Sequence, residues 1–297
     1  MPTRRELEAK LASAKGLRNI IHSMRSLAAV NIRRAEEGLA TAREYNELVV
    51  GLLRLVAPLL PVGFRWGQPR GRAAIFVFAS DLGLSGQFNE RIVEFAVKEA
   101  GRLEREAGAP AGSTRLMVIG ARGAGLLRER GVVPALEDSA PRTPAGVEAA
   151  MRHLAATLFE TYTRAGLATL QLAYNRYESV GSYTPTLDEV LPLPLAKLLE
   201  GGPPATPPPH LYVSPQEVAR RLIEEYLFGE LHRALGESLA SENGARLRAM
   251  DEALHNIDRT LEQLAVQLRI SRQEEITAEL LDVIGGVEAV KGGSAPI

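Results

Sequence analysis

The sequence predicts an α/β fold extended by a long antiparallel α-helical coiled coil, formed by the N- and C-terminal helices, with a Rossmann-like, mostly parallel central sheet. Three observations predict it. Proline is absent between Pro2 and Pro58 and again between Pro215 and Pro296. Both of these windows carry apolar residues at heptad spacing. Strand-like and helix-like runs alternate between them.

The windows come first because their length decides their role. At ~1.5 Å rise per residue the first helix would reach about 80 Å and the last about 115 Å. A compact domain of this size is roughly 40 Å across, so the ends are expected to project. In the first window every seventh residue is apolar: Leu7, Ala14, Ile21, Ala28, Ala35, Ala42, Val49 and Val56. In the last, spacings of three and four alternate through Leu247, Met250, Leu254, Ile257, Leu261, Leu264 and Leu268. Heptads imply a left-handed supercoil, and the small residues of the first stripe suit the bulky residues of the second. The seam stops at "RISRQEEIT", where polar side chains take over. Beyond it Ile276, Ala278, Leu280, Leu281, Val283, Ile284, Val287 and Val290 are read as covering nearly the whole helix circumference, the mark of a helix that something surrounds.

The middle is read as α/β. Strand-like runs fall at 73–79, 115–121 and 167–177, with a weaker one at 184–193, and helical patterns at 89–107, 123–130 and 145–164. A Pro/Gly-rich run, "LPLPLAKLLEGGPPATPPPH", then precedes the last helix and reads as a linker. The expected parts are thus a first coiled-coil helix at 1–58, an α/β domain at 70–192, a linker at 193–213 and a last coiled-coil helix at 214–291.

Composition narrows the function. The formal net charge is -1, which argues against nucleic acid as the principal partner, as do the few aromatic residues. The first 34 residues nonetheless hold eight basic residues (Arg4, Arg5, Lys10, Lys15, Arg18, Arg25, Arg33, Arg34) against Glu6 and Glu8, so an acidic partner surface is the match. There is no cysteine, which excludes disulfides and thiolate chemistry. The N-terminus lacks a signal-peptide apolar core, and the greasiest stretch, "LVVGLLRLVAPLL", is too short and too interrupted for a membrane span.

Candidate chemistry centres on the turn "SDLGLSGQFN", which follows a strand and opens a helix. It could offer backbone N–H groups to an anion. Yet Gly83 and Gly86 give only G-x-x-G, and Gln87 and Phe88 stand where a phosphate loop needs Lys and Ser/Thr. The structural reading has Gly83 and Gly86 adopting positive φ, with Asp81 or Ser85 capping the next helix. The five histidines show no metal spacing. The pairs Glu224/Glu225 and Glu274/Glu275 point apart on a helix and suit solvent better than acid–base work. No catalytic residue, cofactor site or metal site is expected.

Three patches give the chain a familiar look. The turn reads Ser80-Asp81-Leu82-Gly83-Leu84-Ser85-Gly86-Gln87-Phe88-Asn89; the first helix carries "SMRSLAAVNIRRA"; the last carries "LASENGARLRAMDEALHNI" and "RQEEITAELLDVIGG". In these the chain resembles the gamma subunit of F-type ATP synthases over nearly its whole length. The resemblance implies a non-catalytic rotor shaft inside a ring of alpha and beta subunits, with its foot and an epsilon subunit resting on the c-subunit ring. It implies that the shaft couples ion flow to ATP synthesis or hydrolysis, at the cytoplasmic face of the plasma membrane and attached only through the complex. It implies that Arg272, Gln273 and Thr277 meet a loop of beta, that Met24 and Arg25 lie near beta's acidic lever, and that Ile276, Leu280 and Ile284 turn in an apolar collar. The turn at Asp81, Gly83 and Gly86 becomes structural. Leu82, Ser85, Gln87 and Arg269 depart from the family pattern and, with the Pro-rich linker, place the chain in a divergent branch, such as the alternative F-type ATPases that stand beside a standard one in some prokaryotes. The competing readings are a nucleotide-binding α/β enzyme with helical arms and a coiled-coil scaffold.

Overall fold

A computed structural model describes residues 3–61, 71–140, 144–164, 166–193 and 210–292, with backbone alone at 144–146 and 285–292. The proline-rich stretch 194–209, on which the linker expectation falls, lies outside the described residues. In chain order the elements are α1 (Arg4–Val56), a short 3-10 turn (Ala57–Leu59), β1 (Arg72–Phe78), α2 (Phe88–Ala107), β2 (Arg115–Ile119), α3 (Ala121–Glu129), β3 (Leu136–Asp138), α4 (Pro144–Arg164), β4 (Leu167–Ser179), β5 (Ser182–Leu191) and α5 (Pro215–Gly292). They form two compact units: Met1–Leu27 with Met250–Ile297, and Ala28–Ala249.

The larger unit is a three-layer sandwich. Its sheet runs β3-β2-β1-β4-β5, parallel except for the β4–β5 hairpin. The two central parallel strands β1 and β2 are nearly all apolar, as strands covered on both faces must be. Alternate residues divide between two cores. Ile75, Val77, Leu116 and Val118 pack under Ile92, Val93 and Ala96 of α2 and Leu126 and Leu127 of α3. Phe76, Phe78, Met117, Leu170 and Leu172 face Met151, Leu154 and Leu158 of α4, with Val49 and Leu53 of α1 and Ile223, Leu227 and Leu231 of α5. Two differences from the sequence expectation stand out. β3 was not foreseen: three residues with no apolar alternation hold their place through pairing with β2. The last strand begins earlier, at Ser182, because the hairpin turn at Gly181 pairs it with β4.

The smaller unit is a two-helix arm. Leu7 and Ile21 are buried on α1, and Met250, Leu254, Ile257, Leu261, Leu264 and Leu268 are buried or half-buried on α5. The ion pairs prove the antiparallel sense. Arg25 pairs with Asp251, and Arg18 with Asp258 at 2.6 Å. Seven residues back on α1 are thus matched by seven forward on α5. Arg4 meets Glu275 at 3.0 Å near the start of α1.

Candidate functional site

The glycine-rich turn follows β1 and is knitted by its own residues. The backbone N–H of Ser80 donates to Asn89 Oδ1 at 2.9 Å, Asn89 Nδ2 returns a bond to Ser80 Oγ at 2.9 Å, and that hydroxyl donates to the Leu82 carbonyl at 2.6 Å. Two details correct the sequence reading. The left-handed residues are Leu84 (φ 62°) and Gly86 (φ 57°), and Gly83 is not among them. Nor does Asp81 or Ser85 cap the following helix: Gln87 stands at the N-cap of α2, which has no side-chain cap. Asp81 Oδ1 instead accepts from Ala121 N at 2.9 Å, the first residue of α3, and from Ala140 N at 3.3 Å. A carboxylate of the chain therefore sits at the N-terminus of α3, not at that of α2, which the turn opens. Ser85 is buried, its hydroxyl without a protein partner.

The sheet's natural ligand crevice is also occupied. The chain leaves β1 toward β2 and β3, then returns to β4 on the other side, so the switch point lies at the carboxyl ends of β1 and β4. Open α/β sheets bind ligands there. Here Ser238 Oγ donates to the Phe78 carbonyl at 3.2 Å, and Ser241 Oγ to the Asn175 carbonyl at 3.0 Å. Both serines are on α5 and at most 4 % exposed. Arg246, salt-bridged to Glu242 at 2.5 Å, reaches the Gly83 carbonyl at 3.4 Å. Burial holds the Glu242 carboxyl above its ordinary value, although Arg246 opposes that. At the opposite end of the sheet, a cleft of about 350 Å³ is lined by Arg72, Glu104, Gly112 and Thr114. Glu104 is committed to the loop, accepting from Gly112 N at 3.1 Å and Thr114 N at 2.8 Å. Burial raises its pKa, but those N–H bonds outweigh it and leave the carboxyl below its usual range. No group of metal-ligating side chains occurs among the described residues. Glu225 is not simply solvated as expected: it accepts the Tyr45 hydroxyl at 2.5 Å and faces Arg152.

The surfaces of the arm hold the remaining candidates, in two places. Met24 is half-buried and Arg25 is ion-paired with Asp251. Some twenty residues further along α5, roughly 30 Å of helix, every side chain from Arg272 to Ile284 is exposed. Thr277 Oγ1 donates to the Gln273 carbonyl at 2.8 Å. Ile276, Leu280, Leu281, Val283 and Ile284 are 49–64 % exposed. One feature escaped the sequence reading: Leu17, Ile20 and Leu27 lie exposed on α1, in line with Met24 at spacings of three and four. A count of that second period beside the seam would have found it.

A parallel sheet whose ligand crevice is filled by its own long helix, together with a paired-helix arm uncovered at its end, defines a stalk protein whose work lies at surfaces. Comparison with known proteins gives the family. The family model described as ATP synthase matches residues 3–290, and the chain belongs to the ATP synthase gamma-chain family. The ATP synthase gamma chain of Geobacter metallireducens is 30% identical over 301 residues, covering 98% of this chain and 100% of its own. That of Anaeromyxobacter sp. (strain Fw109-5) is 29% identical over 308 residues, with 98% and 100% covered. A chain of the Euglena gracilis mitochondrial ATP synthase shares the fold with a TM-score of 0.63 at 16% identity, over 99% of this chain and 97% of that one. A chain of the Tetrahymena thermophila mitochondrial central stalk and c-ring does so with 0.58 at 20% identity, over 79% and 99%.

Proposed function

We propose that this gamma subunit, a non-catalytic part of the central stalk, turns as the shaft of its complex. The arm works inside a head of alpha and beta subunits, and the α/β domain stands with an epsilon subunit on the c-subunit ring. The observation that carries this is the end of α5. Every side chain from Arg272 to Ile284 is exposed, and five large apolar ones among them, Ile276, Leu280, Leu281, Val283 and Ile284, form an uncovered apolar face about half the helix wide. A sleeve that surrounds such a helix without directional bonds gives it no preferred angle, which is what a bearing requires. Ile276, Leu280 and Ile284 would run in that collar, Arg272, Gln273 and Thr277 against a loop of beta, and Met24 with Arg25 near an acidic lever of beta. The working parts would be helices 1–58 and 214–291, the foot at 70–192 and the connection at 193–213. No described helix is long and apolar enough to cross a membrane, so attachment to the cytoplasmic face of the plasma membrane would run through the complex.

The test is assembly. Co-expressed with the alpha and beta subunits of its own organism, the chain is expected to be retained with them and to be required for ion-coupled ATP hydrolysis. Coupled hydrolysis that persists without it would overturn the proposal. Arg272→Ala with Gln273→Ala should lower coupled turnover several-fold while the melting temperature stays within about 2 °C, since both side chains are exposed. A large fall in melting temperature with normal turnover would remove these residues from the interface. The enzyme reading meets the filled crevice: calorimetry of the isolated chain should detect no micromolar binding of ATP or NAD.

A further inference from the structure

The interface between the sheet and its two long helices holds polar groups where an apolar one would suffice. On α5, Arg233 donates to the Tyr174 hydroxyl of β4 at 2.8 Å, to Asp188 of β5 at 2.9 Å and to Glu230 at 2.7 Å. Tyr174 donates to the same Asp188 oxygen at 2.7 Å, and Asn46 of α1 donates to Glu230 at 2.6 Å. Two turns further along α5, Glu237, 3 % exposed, accepts from Arg43 of α1 at 3.0 Å and from the backbone N–H of Tyr177 in β4 at 2.8 Å. Tyr177 in turn donates to Glu36 of α1 at 2.9 Å. Ser238 and Ser241 continue the line onto β1 and β4. Each rung of the first two therefore ties three elements: α1, α5 and the sheet.

Buried charges of this kind are a poor source of stability, because an apolar side chain of similar volume often does as well or better. What they add is direction. Apolar ridges can repack after a small roll of a helix, whereas a guanidinium donating to three acceptors holds one angle. The backbone also comes close to the ladder here: a Cβ at Gly229 would lie 1.7 Å from Asn46 Oδ1, so a larger residue at 229 would push that side chain aside.

We infer that Glu230, Arg233 and Glu237, with Asn46, Arg43, Tyr174, Tyr177 and Asp188, form a torsional joint that fixes the angular position of the two shaft helices against the sheet. The inference rests on the rotary reading above. It concerns stiffness within Ala28–Ala249 rather than any contact with another subunit.

The test uses the assembled complex, held by its head. The chain lacks cysteine, so Lys98→Cys, exposed on α2, takes a single probe on the foot. With rotation arrested, the width of the probe's angular fluctuation reports torsional stiffness. Three forms are compared: wild type, the triple variant Arg233→Met/Glu230→Met/Asp188→Leu, and Leu126→Ala, which weakens the opposite core without touching the ladder. The triple variant is expected to widen the angular variance by about twofold or more, a size typical of altered coupling along packed elements, while Leu126→Ala leaves it unchanged. Equal variance in wild type and triple variant, or equal widening in both variants, overturns the joint. If the triple variant does not assemble, Glu237→Gln decides on the same scale, with unchanged variance counting against the joint. A wild-type probe that fails to turn on ATP sinks the rotary reading itself and the joint with it.

Discussion

Two stretches of α5 behave as if they came from different proteins. Between Leu222 and Leu247 no residue is exposed; between Arg272 and Ile284 every residue is. The first stretch carries buried serines, carboxylates and arginines, each tied to a named acceptor or donor. The second carries exposed apolar side chains interleaved with exposed charged ones. Helix propensity cannot explain the contrast, because both stretches are helical. The difference is one of directionality: the first stretch is held against the sheet by polar bonds of fixed geometry, and the exposed apolar side chains of the second make no such bonds.

The most damaging way to test that contrast is inside the ladder. Arg233→Ala would leave the partly buried Glu230 and Asp188 without their cation, and the loss should be about 1–3 kcal/mol. Chemical denaturation of the isolated chain measures it. A loss under 1 kcal/mol would mean that the carboxylates escape to water and that the rung is not truly enclosed. The guanidinium is already held well above its ordinary pKa: burial pulls it down, but Glu230 and Tyr174 outweigh that. No accessible pH neutralises it.

Glu104 gives a smaller effect of different pH shape, in a part of the foot away from the shaft. Its folded-state pKa lies below the unfolded one, so its stabilisation is present above the unfolded value, about 4.3, and fades as pH falls through the folded value. Glu104→Gln should therefore cost about 1–2 kcal/mol at pH 7, shrinking below about pH 4. A cost that is constant down to pH 3 would assign the effect to packing rather than charge.

How much of this was legible depends on whether the signal is local or summed. The seam of α1 was readable because seven-residue spacing recurs from Leu7 to Val56, and a period gains weight with each turn. The strands 72–78 and 115–119 were readable as dense apolar runs. The partners across space were not. Asp81 caps a helix that starts forty residues later, and Ser238 reaches a carbonyl 160 residues away; no local pattern encodes either. The turn misled for a further reason. Glycine is the usual bearer of positive φ, yet Leu84 takes that role beside Gly86 while Gly83 does not. The exposed arm residues were legible in composition, through the apolar residues that follow Ile276, and the resemblance gave them roles that periodicity alone could not.

The arm's ion pairs should matter least to stability among its charged contacts. Arg18 and Asp258 are each nearly half exposed, and an exposed pair of this kind contributes about 0.2–1 kcal/mol, less at high salt. Arg18→Ala should lower stability by no more than about 0.5 kcal/mol at physiological salt. A loss above 2 kcal/mol would show that register in the arm is set by charge, and the contrast drawn between its seam and the ladder would fail.

The smallest expected effect falls at the tip and carries the contrast to its end. Leu280 and Ile284 are 57 % and 54 % exposed. Burial of an apolar side chain stabilises a fold only by the area removed from water, and here little is removed. Leu280→Ser with Ile284→Ser should therefore change the unfolding free energy of the isolated chain by less than about 0.5 kcal/mol. The same pair should weaken retention by the alpha and beta subunits if a sleeve covers those side chains in the complex. The two measurements separate the possibilities. Unchanged stability with weakened assembly places the cover on a partner. A stability loss above 1 kcal/mol in the isolated chain would mean that the tip packs against its own chain or a second copy, and the two stretches of α5 would then differ in degree rather than in kind.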